Sequence, residues 1–174
     1  MNDEKHKMIQ ELLKEIFNNV NSWITHAEAK NAAIIAFNVA FLTFLWDMKC
    51  INEVKILFYL ICIGMLASTI MAFISFFPKM GKEIKDQGGH SIHDNLIFYV
   101  DIARYDKTEY IKAIFKQYTQ VDILDTEIQK IEEDFSAEIT YNAAVAVRKY
   151  KWFNYAIKTE IVMLGILMIV MVIA

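Results

Sequence analysis

Three stretches of this 174-residue chain carry no charge, running from Asn31 to Trp46, from Ile56 to Pro78 and from Ile161 to Ala174. A helix needs about 20 predominantly apolar residues to cross a bilayer. The middle stretch has 23 and predicts a span over 55–78. The first has 16, and Lys30 and Lys49 at its ends can snorkel toward the headgroups, which extends that span to 30–48. The last has 14. It reaches back through Phe153, Tyr155, Ala156 and Ile157, with Lys158 and Glu160 near the interface, to give a span over 153–174. Uncharged runs of about 10–14 residues also occur as buried core helices. The closing run, "IVMLGILMIVMVIA", is apolar on every face, unlike a surface helix of a globular domain.

Ahead of the first span, residues 4–29 read as one amphipathic helix. Met8, Leu12, Leu13, Ile16, Val20, Trp23 and Ile24 recur at three- and four-residue steps. No glycine or proline separates this helix from the span, so one long helix is expected. "DMKCINEVK" reads as a short turn, and Pro78 and Gly81 end the second span. A polar loop around Gly88 and Gly89 follows. Helical patterning resumes in "NLIFYVDIARYD" and again in "KTEYIKAIFKQYTQVDILDTEIQKIEEDF", the second capped by Asp106 or Thr108. From about Ser136 one helix continues into the last span. The expected fold is an all-α membrane protein, a single domain over 1–174. It has three transmembrane helices, whose amphipathic extensions form a cytoplasmic helical bundle.

Composition sharpens this picture. The chain is 56% hydrophobic, with one proline and five glycines, against about 45–50% apolar in an ordinary soluble domain. The N-terminal run is charged and periodic and does not read as a cleavable signal peptide. Lysines and arginines mark the cytoplasmic side. They gather after the second span (Lys79, Lys82, Lys85) and before the third (Arg148, Lys149, Lys151), whereas the first turn has only Lys49 and Lys55. The N-terminal helix and residues 79–151 are therefore expected in the cytoplasm, with the C-terminus on the far side. Cys50 and Cys62 have no metal-ligand spacing and suggest no disulfide framework.

No catalytic constellation can be assembled. There is no GxSxG, HExxH, Walker A or GxGxxG pattern. His90 and His93 beside Asp94 supply two or three ligands, fewer than a specific metal site usually needs. The acidic residues from Asp122 to Glu138 read as a solvated helix face. No enzyme activity, metal or cofactor is expected. The basic residues at headgroup level either contact anionic lipid or bind an anionic ligand such as a nucleotide phosphate, for which arginine offers bidentate geometry. The candidate ligand set is His26, Lys30, Lys79, Lys82, Arg148 and Lys149. Phe98, Tyr99, Tyr105 and Tyr110 could stack on a base or simply form core. Asn38, an amide within the first span, should face another helix or a water-filled lumen rather than lipid. It either makes an interhelical hydrogen bond or contributes to a ring lining an oligomeric pore.

Four motifs resemble the transmembrane effector family of the bacterial Pycsar anti-phage system. "AEAKNAAIIAFNVAFL" is similar to that family's approach to the first span, with Glu28, Lys30 and Asn38 in place and Asn31 where a small residue is more usual. "FFPK", Phe76 to Lys79, resembles the proline-basic exit of the second span. "LIFYVDIARYDKTEYIKAI" resembles an aromatic segment followed by a tyrosine-bearing helix, with Phe98 and Tyr110 at the matching places. "SAEITYNAAVAVRKYKWF" resembles the approach to the last span, with Lys149 at the basic position. The resemblance covers most of the chain from about residue 20. It implies a defence effector of the bacterial inner membrane, answering a nucleotide second messenger made by a companion enzyme. That messenger is a cyclic pyrimidine mononucleotide in Pycsar and an oligonucleotide in some related systems. The effector would act as a homo-oligomeric channel or membrane disruptor that arrests growth, with the ligand either opening it or holding it closed. A non-conducting membrane scaffold or sensor, recruiting a partner through its cytoplasmic helices, is the alternative.

Overall fold

The fold was analysed in a computed structural model, which describes residues 3–47, 55–77, 91 and 93–173. Five α-helices follow in order: α1 (Asp3–Asp47), α2 (Lys55–Ile74), α3 (Tyr99–Ile102), α4 (Lys107–Thr119) and α5 (Lys130–Ile173), with a 3₁₀ turn at Asp125–Glu127 before α5. No strand occurs among the described residues. α1, α2 and α5 are each long and apolar enough to cross a membrane. At 1.5 Å per residue the 45 residues of α1 extend about 68 Å, roughly twice the hydrocarbon thickness. The described residues form two compact units. The bundle unit draws on the chain up to Thr25 and between residue 80 and Val147; the span unit draws on His26 to Lys79 and Arg148 onward. α1 and α5 each contribute to both.

In the bundle unit the apolar stripe of α1 is Ile9, Leu13, Ile16 and Val20, all essentially unexposed. Met8, expected on that stripe, is 45% exposed. The stripe begins instead at His6, one helical step away. Tyr110, Ile111, Ile114 and Phe115 of α4 and Ile139 and Ala143 of α5 are buried as well. His6 Nδ1 lies 2.6 Å from Glu132 Oε1, and its ring meets Phe115 edge-on at 5.5 Å. Glu132 is fully buried, and its other oxygen accepts from the Gln129 backbone N–H at 2.9 Å. One carboxyl thus satisfies an unpaired amide at the start of α5 and ties α5 to α1.

α4 begins at a capping box. Asp106 accepts from the backbone N–H groups of Thr108 and Glu109 at 2.7 and 2.8 Å, and Glu109 reaches back to the Asp106 N–H. The helix expected to run unbroken through residues 107–135 stops at Thr119, because Gln120 adopts φ 55 in the left-handed region. The chain then folds back. Lys107 pairs with Glu133 at 2.5 Å, and the Ser136 hydroxyl donates to the Lys107 carbonyl. In one straight helix Lys107 and Glu133 would stand about 39 Å apart. Folding back buries Ile123 at 4% exposure and lets α5 start at Lys130 rather than near Ser136. The helix expected from Asn95 is likewise cut to the single turn of α3. Asp94 draws the backbone away from helix, accepting from the Ser91 N–H at 2.7 Å and from Arg104 and Tyr105 at 3.3 Å each.

In the span unit, the buried positions of α2 are Ile61, Met65, Ser68 and Ala72, at alternating four- and three-residue steps, and Ser75 just past its end continues that face. Leu45, Ile61, Met65 and Leu167 form one apolar cluster; Ile34, Ala72 and Ala156 form another. α2 and α5 approach closely at Gly64, where a Cβ would collide with the Met163 thioether. The outward side chains are large and apolar, including Val39, Phe44, Ile63, Ile70, Ile161 and Met168, each more than half exposed. Such a surface suits lipid rather than water. α2 ends at Ile74, one turn before the expected limit at Pro78. Ser75, Phe76 and Phe77 close it with i→i−3 bonds of 2.9–3.3 Å. Pro78 itself lies outside the described residues.

Glu132→Ala removes the buried carboxyl from both its partners, the His6 ring and the Gln129 N–H. It should cost about 1–3 kcal/mol, read as a lower denaturation midpoint of the detergent-solubilised chain, whereas Glu133→Ala on the exposed face should change it little.

Candidate functional site

Six polar residues of the span unit sit on its buried seams. Asn31 and Asn38 of α1, Ser68 of α2, Ser75 just past its end, and Lys149 and Glu160 of α5 are all at most 6% exposed. Hydrocarbon supplies no hydrogen bonds, so each must find a partner inside the protein. The Asn38 amide donates toward Thr69 Oγ1 at 3.0 Å and toward Ser68 Oγ and the Met65 carbonyl at 3.3 Å. Ser68 passes its own hydrogen to the Ala156 carbonyl at 3.0 Å, and Thr69 passes its hydrogen to Met65 at 2.9 Å. These bonds link α1, α2 and α5. Two turns earlier on α1, the Asn31 amide donates to the Ala27 carbonyl at 2.8 Å and to Ser75 Oγ at 3.0 Å.

The basic candidates divide. Lys149, 6% exposed, pairs with Glu28 at 2.9 Å, donates to the Ser75 carbonyl at 3.0 Å and lies 5.6 Å from the Phe76 ring centroid. Arg148 donates to the Phe77 carbonyl at 2.8 Å. Both cations therefore sit at the C-terminal end of α2, on carbonyls that have lost their helical partners, where positive charge is favourable. Lys30 is exposed on α1, with its ammonium 5.1 and 5.5 Å from the Tyr150 and Phe153 rings, within cation–π reach. His26 is exposed on α1. Lys79 and Lys82 lie outside the described residues, as does His90. His93 is described, and no group of three or more His, Cys, Asp or Glu able to hold a metal occurs among the described residues.

The bundle unit holds a cavity of about 530 Å³, lined in part by Tyr105, Glu109, Lys112, Lys116, Gln117 and Ile123. Its size falls in the usual range of small-molecule sites, about 300–1,000 Å³. Lys112 pairs with Asp125 at 2.7 Å and Lys116 with Asp122 at 2.9 Å, all four side chains at least 43% exposed. Such pairs are worth little, so a bound phosphate could replace a carboxylate at small cost. Tyr105 OH donates toward the Ser91 carbonyl and Asp94. Burial, reinforced by the Asp94 charge, pushes its hydroxyl up to about 12, so Tyr105 stays a neutral donor at physiological pH. Of the other aromatic candidates, Tyr110 is fully buried and donates to the Leu96 carbonyl at 2.7 Å. Tyr99 is buried beside Trp23, with ring centroids 5.3 Å apart, and Phe98 meets the same Trp23 edge-on at 6.2 Å.

Sequence reasoning had not singled out Lys112, Lys116, Ser68, Thr69 or Ser75, and it had placed Glu160 at the interface. Glu160 is four residues beyond the buried Ala156 and eleven beyond Lys149. That spacing puts all three on one helical face and was the available signal. Lys112 and Lys116 carried no signal, since exposed lysines one turn apart are ordinary on a helix.

A family model described as the Pycsar effector protein domain matches residues 12–174. The Pycsar effector protein PtPycTM of Propioniciclava tarda is 28% identical over 151 residues, which cover 79% of this chain and 66% of that protein. The chain thus spans just under two thirds of the relative's length. No solved structure matches it.

Replacing Lys149 with Met leaves both Glu28 and the Ser75 carbonyl without their partner and should cost about 1–3 kcal/mol. Asn38→Leu should cost less, about 0.6–1.7 kcal/mol, because Ser68 and Thr69 keep their bonds to backbone carbonyls. Reversible unfolding in mixed micelles ranks the two, and the reverse order would contradict this bonding.

Proposed function

Because the chain belongs to the Pycsar effector protein family, we propose that it is the membrane effector of a bacterial anti-phage defence system. In this reading a companion enzyme makes a cyclic pyrimidine mononucleotide during infection, and the effector answers by impairing the inner membrane and arresting growth. The observation that carries the reading is the extent of the family match, which takes in α2 and α5 entirely and most of α1, the three apolar helices. The bundle unit faces the cytoplasm, with the C-terminus on the far side, in keeping with the lysines and arginines that flank the spans. Its cavity receives the nucleotide: Lys112 and Lys116 take the phosphate, and Tyr105 and Gln117 meet the base. Arg148 and Lys149 serve the end of α2 and the anionic headgroups beside it, since Arg148 Nη2 and the Lys149 ammonium already hold carbonyls and Lys149 also pairs with Glu28. Lys30 and His26 belong to the same headgroup zone.

Three helices per chain do not enclose a water path, so a conducting form is a homo-oligomer. The nucleotide favours that form only to the extent that it binds it more tightly. α1 and α5 run without a break through both units, which gives ligand binding a covalent route to the spans. No group of catalytic character is needed.

Ion release from liposomes containing the purified chain tests this directly. Cyclic CMP or cyclic UMP should change the release rate, purine cyclic nucleotides should not, and Lys112→Glu with Lys116→Glu should abolish the response while leaving membrane insertion intact. Inserted protein indifferent to every nucleotide would contradict the gating, and a response kept by the double variant would move the site away from this cavity.

A further inference from the structure

The polar chain through the span unit ends on oxygens that receive nothing. Glu160 of α5 is 3% exposed, and neither carboxyl oxygen accepts a hydrogen bond. Its polar neighbours are Ser68 of α2 and Asn38 of α1, both fully buried and both neutral. Neither donates to it. The Ser68 hydrogen goes to the Ala156 carbonyl, and the Asn38 amide hydrogens are shared among Thr69, Ser68 and Met65. Asn38 Oδ1 is itself buried and without a partner. Turning that amide over resolves nothing, because its oxygen would then face two hydroxyls whose hydrogens are already engaged. The nearby cations do not help: Lys149 is matched by Glu28, and Lys158 is exposed.

A bare carboxylate in a low-dielectric interior costs several kcal/mol or more unless a positive charge accompanies it. The neighbours, Ser68 and Asn38, are neutral side chains, a hydroxyl and an amide, each with an oxygen that can accept from a proton donor or ligate a cation. One carboxylate balances one charge, and a divalent ion would be left with excess charge and too few ligands. We infer that Glu160, with Asn38 and Ser68, is an intramembrane binding site for a single monovalent cation. The shared chemistry is one positive charge held on a carboxylate among neutral oxygens. A proton taken from water forms an O–H bond on Glu160 that can donate to a neighbouring oxygen; an alkali-metal ion is held by the same oxygens directly. The site requires neither nucleotide nor conduction, so it stands apart from the proposed function.

Infrared spectroscopy of the full chain in lipid nanodiscs, with carbon-13 glutamate, tests it. If the ligand is a proton, a protonated-carboxyl band appears at neutral pH, shifts with the label and is lost in Glu160→Gln. If it is an alkali ion, the Glu160 carboxylate bands shift and the unfolding midpoint rises when sodium or potassium replaces N-methylglucamine, with neither change in Glu160→Gln. A Glu160 carboxylate present at neutral pH and indifferent to either ion overturns the inference. Should Glu160→Gln fail to insert, the labelled wild-type spectrum beside that of Asn38→Ala decides. The neighbouring amide predicts a shift of the same band, and an unmoved, ion-independent carboxylate refutes it.

Discussion

The structure of the span unit depends on the cost of an unsatisfied hydrogen bond where there is no water. Apolar side chains in hydrocarbon gain little from choosing one helix face over another, because lipid tails are as apolar as leucine. Asn38, Ser68 and Thr69 remove that freedom. The Asn38 amide reaches α2, and Ser68 hands its hydrogen on to the Ala156 carbonyl of α5. Only one register of the three helices satisfies both bonds. Small residues make that register possible: Ala72 and Ala156 are fully buried, and Gly64 admits the Met163 side chain. Lys149 fixes the other end, holding the last carbonyls of α2 while Glu28 balances its charge.

The bundle unit works by different physics. Its core is a conventional apolar seam between α1, α4 and α5, and water supplies the driving force for burying it. Buried polar groups there are paired within the protein: Glu132 with His6 and the start of α5, and Tyr110 with the Leu96 carbonyl. Its ion pairs beside the cavity are exposed and exchangeable, whereas Lys149 is buried and only its partner Glu28 reaches the surface. One unit is suited to accepting a charged ligand and the other to holding a fixed register.

Much of this architecture was legible in the sequence. The three uncharged runs located the spans, the absence of glycine and proline before Lys30 foretold one continuous α1, and Asp106 was recognisable as a cap. Asn38 was conspicuous because nothing else polar lies within a turn of it. The misses share a cause. "QYTQVDILDTEIQ" contains no glycine or proline, so nothing local announced that Gln120 would turn left-handed. What ends α4 there is tertiary, the burial of Ile123 and the return of α5 to Lys107. The α1 stripe was displaced because His6, a polar residue, occupies a core position that only its pairing with Glu132 explains. Glu160 was placed at the interface because a charge near the end of an apolar run usually snorkels. Its burial follows from the helical face it shares with Lys149 and Ala156, a pattern visible only once that face is known to be interior.

The central claim is that Asn38 is bonded to α2 of its own chain. Solid-state NMR in lipid bilayers, on mixtures of nitrogen-15- and carbon-13-labelled chains, tests it most directly. The account predicts through-space correlations from the Asn38 side-chain nitrogen to the β-carbons of Ser68 and Thr69 in doubly labelled chains, and none when the two labels are on separate chains. Correlations that persist between separately labelled chains, or an Asn38 amide in rapid exchange with water, would place that residue on a shared pore surface and contradict it.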